Sequence, residues 1–484
     1  MRKNLEVPIS PVDGRYKSYT AVLANYLSEA ALNRERIYVE IEWLIALCDG
    51  LPVSGFDNSR EPMVPGLTHL SEEQKDALRN IVAEFDGTSI ERLSAIEEVT
   101  KHDVKAVEYY IKEELDKLRQ NGVLSAQEYD KLFQGVHIFC TSEDVNNLSY
   151  ALCIKNAVQE VWLPRVEEFL AALEGVALTH IDTPMLAKTH GQPATPVTLG
   201  KELAVFAIRL RRQIYKIRDA EYLGKINGAT GTFGAHFVSV PTAKWPDFAK
   251  FFVEERLKLS YNPLTTQIES HDWQAELYDR VKHVGRILHN LATDFWIYIS
   301  NEVFIQIPDP KATGSSTMPH KVNPIKFENA EANLEISDAL FSKLSETLVT
   351  SRMQRDLTDS TTQRNVSVAF GHSLIALGNL TSGIKALKVN DEHLLAELDD
   401  NTAVLGEAVQ SVMRAASIGG VEGMENPYER LKALTRGNQE ITKSSMTKFI
   451  EDLELPEPFN TRLLELTPAK YTGLSSEIAR QSLQ

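Results

Sequence analysis

The stretch Leu277–Tyr298, LYDRVKHVGRILHNLATDFWIY, places Leu277, Val281, Val284, Leu288, Leu291, Phe295 and Tyr298 at alternating steps of four and three residues. That spacing describes a helix with a heptad-like apolar seam. Leu203, Phe206, Ala207, Leu210, Ile214 and Ile217 repeat the signature on one side, and Ala330, Leu334, Phe341, Leu344 and Leu348 on the other. A helix of about 25 residues is about 37 Å long. Several such helices, apolar on more than one side, predict a long bundle that also packs against other subunits. A monomeric bundle in water has no use for so much apolar surface.

Towards the N-terminus the chain reads as helical from about Tyr19 to Cys48. A loop rich in Gly, Pro and Ser follows through Leu70, then a helical pair near Ser71–Phe85 and Lys101–Gln120, with a break at Asn121-Gly122. Pro164 interrupts one long pattern and predicts a kink or a restart. The last hundred or so residues (~100) return to shorter, charged helical segments. The glycine-rich run Gly224–Gly231 is better explained as a chain turning between long helices than as a nucleotide loop, because that fingerprint needs a preceding strand.

Bulk properties narrow the function classes. The 484 residues carry a formal charge of −16, with 43% hydrophobic and 24% charged residues. Such a surface opposes binding to nucleic acid or an anionic membrane, both of which need basic patches. Cys48, Cys140 and Cys153 have no metal-ligand spacing and cannot all pair, so reduced thiols are expected. The first residues lack the apolar core of a signal peptide, and no run approaches membrane-spanning length. The expectation is a soluble cytoplasmic protein without metal or cofactor.

Three segments carry chemistry. Gly314-Ser315-Ser316-Thr317-Met318-Pro319-His320-Lys321-Val322-Asn323-Pro324 sets small hydroxyl residues between Gly and Pro, which describes a loop with little packing of its own. Thr189-His190-Gly191-Gln192-Pro193-Ala194-Thr195-Pro196 places a histidine between helical stretches, among residues that tend to face clefts. Cys140-Thr141-Ser142-Glu143-Asp144 reads as a capped helix N-terminus, whose N–H groups also suit an anion. Its acids read as first-turn partners of the helix dipole, and nearby His137 as a further pocket residue.

The first segment resembles the signature of the fumarase/aspartase superfamily, whose members release fumarate. Such an elimination needs a base for a weakly acidic C–H, stabilisation of the extra carboxylate charge and an acid for the leaving group. The resemblance assigns the base role to Ser315, the carboxylate contacts to Lys321 and Asn323, and the acid role to His190. It makes Glu328 the carboxylate that orients His190, although spacing alone fits a solvated helix residue equally well. Asn329, beside it, joins the substrate contacts, and Thr141 and Ser142 are matched to the residues that bind the succinyl portion.

Four more segments resemble adenylosuccinate lyases in particular. Ser10–Tyr16 carries Arg15 and Tyr16, Thr100–Tyr109 carries Lys101, His102 and Asp103, and Thr265–Glu269 carries Gln267. Arg352–Asn365 carries Arg355, Ser360, Thr361 and Arg364. Arginine gives bidentate, permanently charged contacts to phosphate, which suits a nucleotide. Lys101 departs from that family's pattern. An argininosuccinate lyase remains the alternative, opposed by the phosphate-type cluster, and a catalytically silent descendant is opposed by Ser315, His190, Lys321 and Glu328 standing together. The resemblance implies an all-α fold of three helical domains, 1–130, 131–380 and 381–484. The central bundles of four chains would form a twenty-helix core, with each site shared between chains.

Overall fold

The computed structural model describes residues 7–52, 61–308, 322–434 and 441–484. Ser315 and Lys321 lie outside them. The three seam patterns are helices Leu199–Arg218, Asp272–Ser300 and Ile325–Leu348. Leu277, Val281, Val284, Leu288, Leu291 and Phe295 are all buried, as are all the seam residues quoted for the other two helices. The chain is dominantly helical. Its described strands form three two-stranded sheets.

Departures from the sequence reading have local causes. The helix expected from Tyr19 is divided: Lys17–Thr20, a 3-10 turn and Ala24–Leu27 precede extended Ser28, whose Oγ accepts the Ala31 N–H at 3.0 Å and starts helix Glu29–Asp49. A serine that satisfies a free helix-end donor begins a helix better than it continues one. Helix Gly87–Thr100 was not anticipated; its only buried residues are Leu93 and Ile96, too few for a visible period. At Pro164 the helix widens into a π-turn over Ala157–Trp162 before restarting as Leu163–Thr179. Proline has no N–H for the carbonyl one turn back.

Contacts group the chain into two units. The first comprises Met1–Arg165, Gln213–Arg286 and Asn333–Ala376. Within it, Ile37, Ile41, Leu44, Val107, Ile111 and Leu132 belong to one apolar cluster. The second comprises Val166–Arg212, Ile287–Ala332 and Leu377–Gln484. There Phe295 stacks on Phe327 at 5.1 Å, and strand Phe304–Gln306 pairs antiparallel with Leu387–Val389. Leu405, Val409, Met413, Met446 and Ile450 share the apolar cluster of its C-terminal helices. Among the described residues, no helix is long and apolar enough to cross a membrane.

Candidate active site

The site in the first unit is built on the start of helix Ser142–Asn156. Buried Asp144 accepts the Thr141 N–H at 2.9 Å and closes the first turn. The same carboxylate accepts the N–H groups of Asn227 (3.0 Å) and Gly228 (3.1 Å) and pairs at 2.8 Å with Lys225, which is also wholly buried. The glycine-rich run is thereby strapped beneath the helix end. Its N–H groups at Asn227 and Gly228 serve Asp144, so they do not form a phosphate cradle. Gly231 is required there: its φ is +74°, and a Cβ would lie 2.3 Å from the Thr265 carbonyl. The strand leading into the run, Leu223–Gly224, is only two residues long and pairs parallel with Ser260–Tyr261.

The strap carries the next side chain. Gln267 Nε2 donates to the Ala229 carbonyl at 2.9 Å, and its Oε1 accepts from Arg355 at 3.2 Å. Arg355 also pairs with buried Glu143 at 3.0 Å. A cavity of about 480 Å³ opens between these groups. His102, Asp103, Thr141, Ser142, Gln267, Arg355 and Ser360 all line it, and all were expected from the sequence. A helix end, a guanidinium and an amide facing one space make a carboxylate-binding arrangement. His102 caps helix Asp103–Gln120, with Nδ1 accepting the Lys105 N–H at 3.2 Å. That role requires an unprotonated Nδ1, which leaves the proton of the neutral ring on Nε2.

Sequence reasoning missed Arg36 and Asn146. Arg36, buried in helix Glu29–Asp49, reaches Asp103 at 2.8 Å and Asn146 Oδ1 at 2.9 Å. Burial pushes the Asp103 carboxyl up, but the charges of Arg36 and Arg364 and the Val104 N–H bring it below the usual carboxylate range. Helix Glu29–Asp49 also carries Arg34, Glu35, Glu40 and Glu42, so nothing in its sequence singles out Arg36.

The expected phosphate cluster is divided. Ser360 faces the cavity, while Thr361 is exposed on the same short helix, Thr358–Gln363, because neighbouring helical residues point about 100° apart. Arg364 pairs with Glu29 at 2.5 Å and lies 3.5 Å from Asp103. It lines a second cavity, of about 630 Å³, with Ser10, Asp13 and Lys17. Exposed Arg15 sits 6.0 Å from the Tyr16 ring. Lys101 is exposed, in the left-handed conformation that ends helix Gly87–Thr100.

In the second unit, His190 occupies a hairpin tip rather than a helix junction. Strands Pro184–Thr189 and Gln192–Thr198 pair antiparallel, and His190 and Gly191 form the two-residue turn with φ of +54° and +73°. Two positive φ values match the right-handed twist of the strands. Prolines 193 and 196 are tolerated because each strand of a two-stranded sheet is an edge. Lys188 ties the hairpin to Glu397 at 2.8 Å. His190 is exposed, and Glu328 accepts from Trp296 Nε1 at 3.2 Å rather than from His190 of the same chain. Asn329 accepts from Asn379 at 2.9 Å, and Asn323 is exposed.

Two histidines stabilise the first unit in opposite senses. His137 does not line the cavity; its Nδ1 meets Glu40 at 2.5 Å, and Glu108 lies 3.7 Å from Nε2. Burial opposes its charge, but Glu40 and Glu108 outweigh it and raise the pKa. That contribution is complete at low pH and is lost as pH rises through the raised value. His236 is wholly buried among Phe139, Phe233 and Trp245, and neither ring nitrogen has a partner among the described residues. Burial lowers its pKa to about 4. Below pH 6.5 the unfolded chain therefore takes up a proton that the folded chain refuses, costing on the order of 2 kcal/mol by pH 5. His236→Phe is expected to shrink the fall in melting temperature between pH 7 and pH 5. An unchanged fall would place the acid sensitivity elsewhere.

Among the described residues, no group of three or more His, Cys, Asp or Glu could hold a metal ion. The three cysteines are unpaired thiols.

Residues 14–335 match a lyase family model, and residues 351–472 match one for the adenylosuccinate lyase C-terminal region. Similar solved structures are a 3-carboxy-cis,cis-muconate lactonizing enzyme from Pseudomonas putida (TM-score 0.72, 19% identity, 97% of this chain and 98% of that one) and a fumarate lyase from Mesorhizobium sp. BNC1 (0.71, 18%, 96% and 97%). At those identities they establish the fold alone. The chain has the helical lyase fold and is a carbon–nitrogen lyase. It is 43% identical over 470 residues to the adenylosuccinate lyase of Vibrio cholerae, covering 97% of each chain, and 43% identical over 465 residues to that of Escherichia coli, covering 96% of each. The chain belongs to the adenylosuccinate lyase family.

Proposed function

We propose that this enzyme eliminates fumarate from adenylosuccinate, giving AMP, and from succinylaminoimidazole-carboxamide ribotide, giving the free carboxamide ribotide. It would act in the cytoplasm, in purine synthesis, as a homotetramer of three-domain chains (1–130, 131–380, 381–484). The observation that carries the reading is the cavity in which the Thr141–Ser142 helix end, Gln267 and Arg355 converge. A succinyl carboxylate there accepts N–H and guanidinium hydrogen bonds. Ser315 removes the proton beside the carboxylate, and the electron pair delocalises into that carboxylate, where Lys321 and Asn323 stabilise it. The pair then forms the C=C bond of fumarate as the C–N bond breaks, and His190 protonates the departing nitrogen.

Sites shared between chains suit two features. His190 stands on an exposed hairpin tip without a side-chain partner among the described residues. The long helices also leave Val205, Trp296, Ile297 and Ile336 exposed. Such surface on helices that already bury a full seam favours assembly. Adding adenylosuccinate to the purified protein should change its absorbance as AMP forms, and no change would sink the reading. Arg364→Ala is expected to weaken AMP binding ten- to a hundredfold, since a charge-assisted hydrogen bond contributes about 1.5–3 kcal/mol. Unchanged AMP affinity would misplace the phosphate.

A further inference from the structure

We propose that Glu29 is an intramolecular stand-in for the nucleotide phosphate. Its carboxylate holds Arg364 while no ligand is bound and must leave when a phosphate arrives, so it sets both the affinity and the release of phosphorylated ligands. This rests on the reading of Arg364 as a phosphate residue.

The pair is brought together from positions 335 residues apart, at 2.5 Å. Extended Ser28 ends one helical segment and makes Glu29 the first residue of the next; Arg364 directly follows helix Thr358–Gln363. Both line the cavity of about 630 Å³ that Ser10 and Lys17 also face. A phosphate entering there meets a guanidinium already engaged by a carboxylate, the same kind of oxyanion.

Arg364 differs from the other two arginines of the site in how firmly its partner is held. Arg355 is 17% exposed against a Glu143 that is 6% exposed, and Arg36 is 5% exposed. These are fixed supports. Arg364 and Glu29 are 47% and 76% exposed. Asp103, the second acid near Arg364, is committed to Arg36 at 2.8 Å and to the Val104 N–H at 2.9 Å. Glu29 has no other side-chain partner among the described residues, so it is the group free to swing away. Exposed ion pairs are weak, which makes the exchange reversible and its effect modest.

Titration calorimetry of the full-length enzyme with AMP and with adenosine tests this. Glu29→Gln should tighten AMP roughly two- to fivefold and leave adenosine unchanged. The gain should vanish in the Glu29→Gln/Arg364→Ala double variant, and stopped-flow release of AMP should be slower in the single variant. AMP affinity unchanged or weakened by Glu29→Gln, while Arg364→Ala still weakens AMP, overturns the role of Glu29. So does an equal gain for adenosine. If Arg364→Ala leaves AMP binding unchanged, the phosphate reading fails first and this proposal with it.

Discussion

Replacing His190 is expected to lower kcat by a factor of about 10² to 10⁴, the usual contribution of a positioned acid or base, with little change in KM. The turn complicates the obvious variant. Any residue with a Cβ costs roughly 1–2 kcal/mol in the left-handed region. Histidine already bears that cost and tolerates the region better than alanine, so His190→Ala removes the imidazole and adds a smaller strain of its own. Asparagine tolerates that backbone, and His190→Asn should be equally inactive with the melting temperature unaltered. If His190→Asn retained most activity, histidine would be serving the turn rather than the reaction. Ser315→Ala should be comparably inactive, and the two losses should not multiply, because each half of the reaction is useless alone. Under the proposed tetramer with shared sites, mixing the two inactive proteins should restore part of the activity, since some hybrid sites then contain both residues. No recovery after verified subunit exchange would refute shared sites.

The long helices were legible because a seven-residue apolar repeat has one cheap solution: six of the seven residues named from Leu277 to Tyr298 are buried, and Tyr298, near the helix end, is half-buried. The site's first wall was legible for a different reason. Capping residues, a glutamine and an arginine recur with the family's motifs, and Thr141, Ser142, Gln267, Arg355 and Ser360 do converge. What escaped lacks a period or a motif. Arg36 is one of two arginines on a helix that also carries Glu35, Glu40 and Glu42, and nothing in the sequence says that it reaches across 67 positions to Asp103. The hairpin at His190 was read as a helix junction because its strands are short and contain three prolines. Glu29 fell inside the helix expected from Tyr19 to Cys48, and its pairing with Arg364 depends on a fold-wide juxtaposition.

The largest stability effect is expected at Asp144, and its asymmetry with Lys225 is the informative part. The two form an ion pair with both side chains wholly excluded from solvent. Breaking such a pair by removing one partner typically costs about 3–5 kcal/mol, since the other charge is left unpaired. The partners are not equally supported, however. Asp144 accepts three backbone N–H groups besides Lys225, whereas among the described residues Lys225 has only the Gly228 carbonyl at 3.2 Å as its second partner. Asp144→Ala therefore strands the ammonium and frees the N–H groups of Thr141, Asn227 and Gly228 at once, loosening the helix end and the strap together. Lys225→Met removes the ammonium, keeps its length as apolar packing, and leaves a carboxylate still bonded to three donors. Denaturation should find Asp144→Ala destabilised at the top of that range or unable to fold, and Lys225→Met folded and milder by about 1 kcal/mol or more. In folded Lys225→Met the strap that places Gln267 through Ala229 is less constrained, so KM for adenylosuccinate should rise more than kcat falls. Equal destabilisation of the two variants would mean that the ion pair, rather than the N–H cradle, holds this corner of the site.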